Sequence, residues 1–484
     1  MKKCTIIIRD EVNCKIDGLD VKDRRTLSKL FSYEKPGARF IPSVRLGRWD
    51  GKETYFSIGG ETYINLLTEI IPILDQSGYD ISLDDRRTHK DSLEFDQVSE
   101  DTFSEHPWPK GHPKEGQPIK LRDYQVDIIN NFLSNPQSLQ EIATGAGKTI
   151  TTAALSHSIQ KYGRSIIIVP NKSLVVQTEE DYKNVKLDVG VYFGDRKEWG
   201  KTHTICTWQS LNNLLKDTRS GDAKFTIQEF LEGVVCVMVD ECHMAKASAL
   251  KTLLTTVFAN VPIRWGLTGT IPKEKYEFQS LFVSLGSIVG KLSASELQDK
   301  GVLAQCHVNI IQLQDHVEYT NYQAELKFLL EDSKRIKKIT DLISEIKETG
   351  NTLVLVDRVN AGKELVKQIP GSVFISGGTK LTERKEEYDE VATANDKVLV
   401  CTYGVAAVGI NVPRIFNVVL IEPGKSFVRV IQSIGRGIRK AEDKDFVMIW
   451  DVTSSCKFSK RHLTKRKQYY TEAKYPFELK KVSY

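Results

Sequence analysis

The stretch VVCVMVDECHM, residues 234–244, decides how this chain folds. From Val234 to Val239 every side chain is apolar, and the run then stops at two adjacent acids, Asp240 and Glu241, followed by Cys242 and His243. A Val-rich run without polar alternation reads as a strand buried on both faces, the condition of a parallel sheet covered by helices. The acid pair has two readings. Either the strand runs out into a solvated turn, or the carboxylates stand on a rim where something is held.

The same kind of run recurs on either side. SIIIVP, TICTW and WGLTGT lie near it, and TLVLVD, VFIS, KVLVCT, VVLIEP and FVMIWD come later. These runs alternate with helical patterns and fall into two sets, residues 121–305 and 306–484, so two α/β lobes in tandem are expected. Residues 1–100 read as a small α+β domain: TIIIR and NCKID as strands, DRRTLSKLFSY as a helix, TYFSIGGETYI as a hairpin about Gly59 and Gly60, and NLLTEIIPILDQSGY as a helix closed at Gly78. Between them, residues 101–120 carry Pro107, Pro109, Pro113 and Pro118 and read as a linker. Each proline removes a backbone donor and restricts the residue before it.

EIATGAGKTI, residues 141–150, supplies something for the acids to hold. A glycine-rich turn feeding a helix presents backbone N–H groups and a positive dipole end to a polyphosphate. Gly145 and Gly147 let the backbone come close, Lys148 can reach the outer phosphates and Thr149 can offer its hydroxyl to Mg²⁺. The strict GxxxxGK[ST] pattern fails at Ile142, which leaves a plain glycine turn at a helix start as the alternative. Strands of a parallel sheet end on a common rim. Asp240 would therefore meet Lys148 and Thr149 there to hold the Mg²⁺, and Glu241 would orient and deprotonate an attacking water.

The bulk properties agree with this class. Hydrophobic residues make up 40% and charged residues 27%, as in a soluble globular protein, and no apolar run is long enough to span a bilayer. The opening MKKCTIIIRDEV is broken at once by Arg9, Asp10 and Glu11, so an edge strand is expected rather than a signal peptide. Eight scattered cysteines without a CxxC pair suit reduced thiols in a cytoplasm and argue against a zinc site. The net charge of +5 is concentrated at the end, where nine Lys and Arg face two acids between Lys457 and Tyr484, interleaved with aromatics. Such a tail is a candidate nucleic-acid surface or a solvated terminal helix.

Taken together, the motifs between residues 121 and 439 resemble those of superfamily 2 helicases and translocases. LRDYQ (121–125), IATGAGKT, IIIVPNKSLVVQT (166–178), TWQS (207–210), DECH, LTGT (267–270), LVLVDR (353–358), VCTYGVAAVGINVP (400–413) and QSIGRGIRK (432–440) stand in that family's order. FSYEKPGARFIPSVRLGRWDGK, residues 31–52, is similar to the opening domain of the UvsW-type recombination helicases of T-even-type bacteriophages.

The resemblance implies two tandem RecA-like P-loop NTPase lobes behind the small N-terminal domain, and an ATP-dependent DNA helicase that remodels branched DNA by unwinding, branch migration and fork regression. ATP and Mg²⁺ would be bound by Gln125, Thr144, Gly145, Ala146, Gly147, Lys148, Thr149, Gly409 and Asn411, with Thr149 and Asp240 on the metal. Arg436 and Arg439, three apart on an expected helix, would act as arginine fingers across a cleft. The resemblance puts Pro170, Thr207, Gln209, Thr402 and Gly409 on the strand-tracking face, with Val408 where many relatives carry Arg. His243, Thr268 and Thr270 would couple nucleotide to DNA, a core role being the alternative for His243 and Thr268. Arg45, Arg48 and Trp49 lie in a basic, aromatic stretch (33–52) suited to duplex or junction binding, core and solvated roles being the alternative.

Implied partners are branched, forked or duplex DNA and single strands, with single-strand-binding and recombination proteins, no membrane, and a monomeric chain in an infected bacterium's cytoplasm. Alternatives are the motor subunit of a restriction or repair complex, an RNA helicase, or a non-hydrolysing DNA clamp or annealing factor.

Overall fold

Val and Ile runs become parallel strands here wherever helices cover both faces. The structure, a computed structural model, describes residues 2–89, 93–110, 112, 114–244, 247–409, 412 and 414–484, without the side chains of 244, 247, 381, 407–409, 427, 428, 432 and 436. It divides into two units, residues 1–141 with 147–291, and residues 142–146 with 292–484.

The first unit opens with a small sheet of β1 (Lys2–Ile8), β2 (Asn13–Asp17), β3 (Glu61–Tyr63) and β4 (Tyr79–Asp85), in the order β3-β2-β1-β4. Alternate residues of β1 (Cys4, Ile6, Ile8) turn inward onto Leu27 of helix Val21–Leu30 and Ile70 and Leu74 of helix Leu67–Gln76. The expected hairpin about Gly59 and Gly60 does not form. Lys52–Thr54 pairs with Ser32–Glu34, whereas Glu61–Tyr63 pairs with β2. Tyr55 and Phe56, between them, are buried in the core and pull the two segments into different sheets. A turn closed by Gly60 N–H to Ser57 O (2.9 Å) joins them. Glu53 forms an ion pair with Lys251, whose ammonium lies 4.3 Å from the Tyr55 ring centroid. That contact and Gln137 Nε2 donating to Glu11 O (2.8 Å) tie the small sheet to the rest of the unit. Among the described residues, 101–120 contains no helix or strand beyond a single bridge between Pro107 and Pro118.

The eight-stranded sheet of the first unit has six central strands, β5 (Gln137–Ile142), β6 (Arg164–Val169), β7 (Val189–Phe193), β8 (His203–Thr207), β9 (Val234–Asp240) and β10 (Ile263–Thr268), in the order β7-β8-β6-β9-β10-β5 with every one of these neighbours parallel, and is edged by Arg196–Lys197, antiparallel beside β7, and by Ser287–Leu292 beside β5. The second unit repeats the plan with β11 (Gln305–Leu313), β12 (Thr352–Val356), β13 (Val373–Ile375), β14 (Val398–Thr402), β15 (Asn417–Ile421) and β16 (Phe446–Ser454). Its order is β13-β14-β12-β15-β16-β11, again parallel throughout, and Phe477–Val482 adds a parallel edge strand beside β11. Counted within its own unit, each sheet reads 3-4-2-5-6-1. Two copies of one topology are present with no visible sequence repeat. In each, connections return to the same end of the sheet, so the C-termini of these six strands share one rim. No helix among the described residues is long and apolar enough to cross a membrane.

Candidate active site

At the rim of the first unit, β5 leads through a turn into helix Lys148–Ile159. The residue before that helix, Gly147, has φ 87°, a left-handed conformation that side-chain-bearing residues rarely adopt. A Cβ there would also lie 2.5 Å from Gln125 Nε2. Gln125 is buried at the third position of helix Asp123–Leu133, and its Oε1 accepts the Arg122 N–H at 2.9 Å. The glutamine of LRDYQ therefore caps its own helix and walls the phosphate turn.

β9 ends at Asp240, and Glu241 follows at φ 49°. A non-glycine residue held there costs about 1–2 kcal/mol, which the buried contacts of this side chain must offset. Lys148 Nζ meets Glu241 Oε1 at 2.9 Å, with the two side chains only 9% and 4% exposed. Asp240 is buried beside it, and its Oδ1 accepts the Glu241 N–H at 2.9 Å. Glu241 Oε2 accepts the Gly269 N–H at 3.3 Å and lies 3.6 Å from His243 Nδ1. The Thr268 hydroxyl donates to Thr270 O at 2.9 Å and so is left to accept from His243 Nδ1–H. One chain of contacts thus runs Lys148–Glu241–His243–Thr268–Thr270. Burial, with Glu241 and Asp240 beside it, pushes the Cys242 thiol well above the ordinary range, which disfavours the thiolate.

Residues 142–146 belong with the second unit. There Thr144 lies under Gly435, where a Cβ would come within 3.2 Å of it, and Gly145 faces Leu303 and Arg439. Arg436 and Arg439 do not share a helix face. Helix Phe427–Gly437 stops two residues before Arg439, which instead bridges to Leu303. The chain leaves the helix because Gly437 is pressed against Val418 and the buried Lys444 ammonium binds the Gly437 and Arg439 carbonyls, the latter at 2.8 Å. Burial, with the Arg439 guanidinium alongside, pulls Lys444 down to about 7. Asn411 and the side chains of Arg436, Val408 and Gly409 lie outside the described residues.

The expected strand-tracking residues are unequal. Gln209 is exposed, and Pro170 and Thr402 are half-buried at the ends of β6 and β14. Thr207 is not a free surface hydroxyl: it is buried and caps helix Trp208–Ser220, with Oγ1 2.9 Å from Ser210 Oγ. In the N-terminal stretch Arg45 and Arg48 are exposed, Trp49 Nε1 donates to Lys52 O at 2.8 Å, and Phe40 is 69% exposed rather than core. One residue escaped the sequence reading. Arg429 pairs with Asp357 at 2.8 Å and stacks over the Tyr403 ring at 5.1 Å, joining the segments after β12 and β14 to helix Phe427–Gly437.

Residues 118–273 match the family described as type III restriction enzyme, res subunit, and residues 334–441 match the helicase conserved C-terminal domain. Over 92% of its length the chain is 26% identical to the ATP-dependent DNA helicase uvsW of Enterobacteria phage T4, covering 89% of that protein. The chain belongs to the superfamily 2 helicases. This helicase is also 23% identical, over 63% of its length, to 64% of the DNA 3'-5' translocase XPB2 of Sulfurisphaera tokodaii. Among solved structures, the putative HsdR subunit of a type I restriction enzyme from Vibrio vulnificus YJ016 shares its fold, with TM-score 0.56 and 16% identity over 97% of this chain and 85% of that one. As a helicase of this superfamily the chain hydrolyses ATP.

Proposed function

We propose that this helicase uses ATP to translocate on DNA and to remodel branched DNA, by branch migration and fork regression, in recombination, repair and replication. The observation that carries the reading is the buried Lys148–Glu241 pair at a helix N-terminus preceded by a left-handed glycine. The DNA substrate is supported by similarity to the phage T4 DNA helicase along nearly the whole chain. Eight buried free cysteines suit the reducing cytoplasm of a bacterial host.

In this reading Lys148 trades Glu241 for the β- and γ-phosphates, and the released carboxylate orients the attacking water. Thr149 and Asp240 are hard oxygen donors on the same rim and fit a Mg²⁺ ion, whose charge offsets that of the phosphates. Arg439, and Arg436 with it, would stabilise charge developing on the γ-phosphate. Pro170, Gln209, Thr402 and Gly409 would contact the strand, Asn411 the nucleotide, and the His243–Thr268–Thr270 chain would report one site to the other. Arg45, Arg48 and Trp49 would engage duplex or junction.

The test compares ATP hydrolysis and product formation on fork, Holliday-junction, duplex and RNA substrates for the wild type and Lys148→Ala. We expect stimulation by branched DNA, and a Lys148→Ala chain that binds DNA but separates no strands. Equal hydrolysis with and without DNA would overturn the proposal.

A further inference from the structure

The second unit carries a basic face that none of the helicase motifs accounts for. Helix Lys457–Glu472 follows β16 and exposes Lys457, Lys460, Arg461, Thr464, Lys465 and Gln468 along one stripe at helical spacing. None of Lys457, Lys460, Arg461 and Lys465 forms an ion pair with a carboxylate among the described residues. Along its first half lies an open groove of about 770 Å³, lined by Lys457, Lys460, Arg461 and Thr464 together with His316, Glu318 and Asp315, whose carboxylate is already held by Arg335 and Ser454.

The opposite face of the helix is locked. Arg466 grips Asp451 of β16 at 2.8 and 2.9 Å, and Tyr470 donates to the same carboxylate at 2.8 Å. Glu325 accepts the N–H groups of Phe458 and Ser459 at 3.0 and 2.7 Å, so the positive helix end is already answered and the cations outside are the unanswered charge. No large apolar side chain is exposed between Phe446 and Leu479, which leaves the stripe without the anchors that lipid insertion or a protein hot spot needs.

The groove's place in the sheet points to its occupant. It opens at the C-terminal ends of β16 and β11, on the rim where β14 ends at Thr402. β14 and β11 are four strand spacings apart in the order β14-β12-β15-β16-β11, roughly 19 Å at about 4.8 Å per strand. A strand tracked past Thr402 along this rim would run onto the stripe.

We propose that helix Lys457–Glu472 and the groove below it form a second, sequence-independent grip on the DNA phosphodiester backbone. This rests on the reading of DNA as the substrate. Lysine and arginine heads with a hydroxyl and an amide hold phosphates in any sequence and so tolerate a moving strand.

The test is the triple neutralisation Lys457→Gln, Lys460→Gln and Arg461→Gln, set against a control triple on the same unit, Lys327→Gln, Lys334→Gln and Lys367→Gln. Fluorescence anisotropy with a labelled fork and a labelled single strand is read across a salt series, alongside ATP hydrolysis without DNA. The groove triple should weaken binding about tenfold or more and flatten the log K against log[salt] slope by about 2–3, near 0.7–0.9 per lost phosphate contact. The control triple should change both much less, and DNA-free hydrolysis should match the wild type in both. Unchanged affinity and slope in the groove triple, with DNA-stimulated hydrolysis intact, would overturn the grip and leave the helicase reading standing. Equal weakening by both triples would reduce the effect to net charge and also overturn it, and a wild-type chain that binds no DNA would sink both readings.

Discussion

Glu241 and Glu422 occupy equivalent places in the two units. Each is the first residue past the fifth strand of a 3-4-2-5-6-1 sheet, apart from Asp240 closing β9, and each is a glutamate with positive φ, 49° and 43°. Each is buried against a cation: Lys148 at 2.9 Å and Arg335 at 2.7 Å. The difference lies in the cation's setting. Lys148 follows the exposed, left-handed Gly147 and stands at the first position of its helix. Arg335 sits on a regular helix, Ser333–Lys347, fully buried, and also meets Asp315 at 3.4 Å and donates to Leu329 O at 2.6 Å. Burial pushes the Glu422 carboxyl up, and Ser459 binds its other oxygen at 3.0 Å. A bent glutamate with a buried cation is therefore not itself an active site. It becomes one where the cation stands on a turn that phosphate can reach, and elsewhere it closes a core.

The largest effect that could break this contrast is Arg335→Ala. It strands two buried carboxylates and should destabilise the chain by about 3–5 kcal/mol in urea unfolding. Lys148→Ala, next to a water-accessible turn, should cost well under half of that while stopping hydrolysis. Equal losses of stability would erase the distinction.

Acid should weaken the first unit through β8, which begins with buried His203, whereas β14 begins with Val398. Burial lowers His203 to about 4, and its Nδ1 sits 2.7 Å from Ser165 Oγ. The folded chain thus keeps it neutral where the unfolded chain, near 6.5, takes up a proton. Stability is present above that value and is lost as pH falls from about 6.5 to about 4, by on the order of 3 kcal/mol. His203→Gln should flatten the pH dependence of unfolding over that window. A fourth variant, Gly147→Ala, forces a Cβ into a left-handed turn against Gln125. It should cost about 1–2 kcal/mol and weaken nucleotide binding, whereas an alanine at exposed Gly404, with nothing within 4 Å, should be tolerated. The smallest effect is Arg429→Met. Its half-exposed pair with Asp357 is worth under about 1 kcal/mol to stability, measurable by thermal unfolding.

Strands with unbroken Val and Ile runs were legible because such a composition suits burial on both faces. β11 was not, since Gln305, His307, Asn309 and Gln312 interrupt it, nor was β7, whose run VGVYF is broken by Gly190. The Lys148–Glu241 meeting followed from the shared rim of a parallel sheet. Tyr55 and Phe56 misled because their core burial, a tertiary effect, sends the segments on either side of the Gly59–Gly60 turn to different strand partners. The end of the helix before Arg439 depends on Lys444, a lysine that composition marks as surface. Glu422 and Arg429 carry no local mark at all, and only the folded sheet gives them meaning.

The central claim is that Glu241, once Lys148 leaves it, is the base of an ATP-driven motor. Glu241→Gln tests it most directly, with binding of a fluorescent ATP analogue and single-turnover hydrolysis measured on the same preparation in the presence of fork DNA. Binding should stay within a few-fold of wild type while hydrolysis falls about 10²–10⁴-fold. A Glu241→Gln chain that cleaves ATP at the wild-type rate would contradict the account.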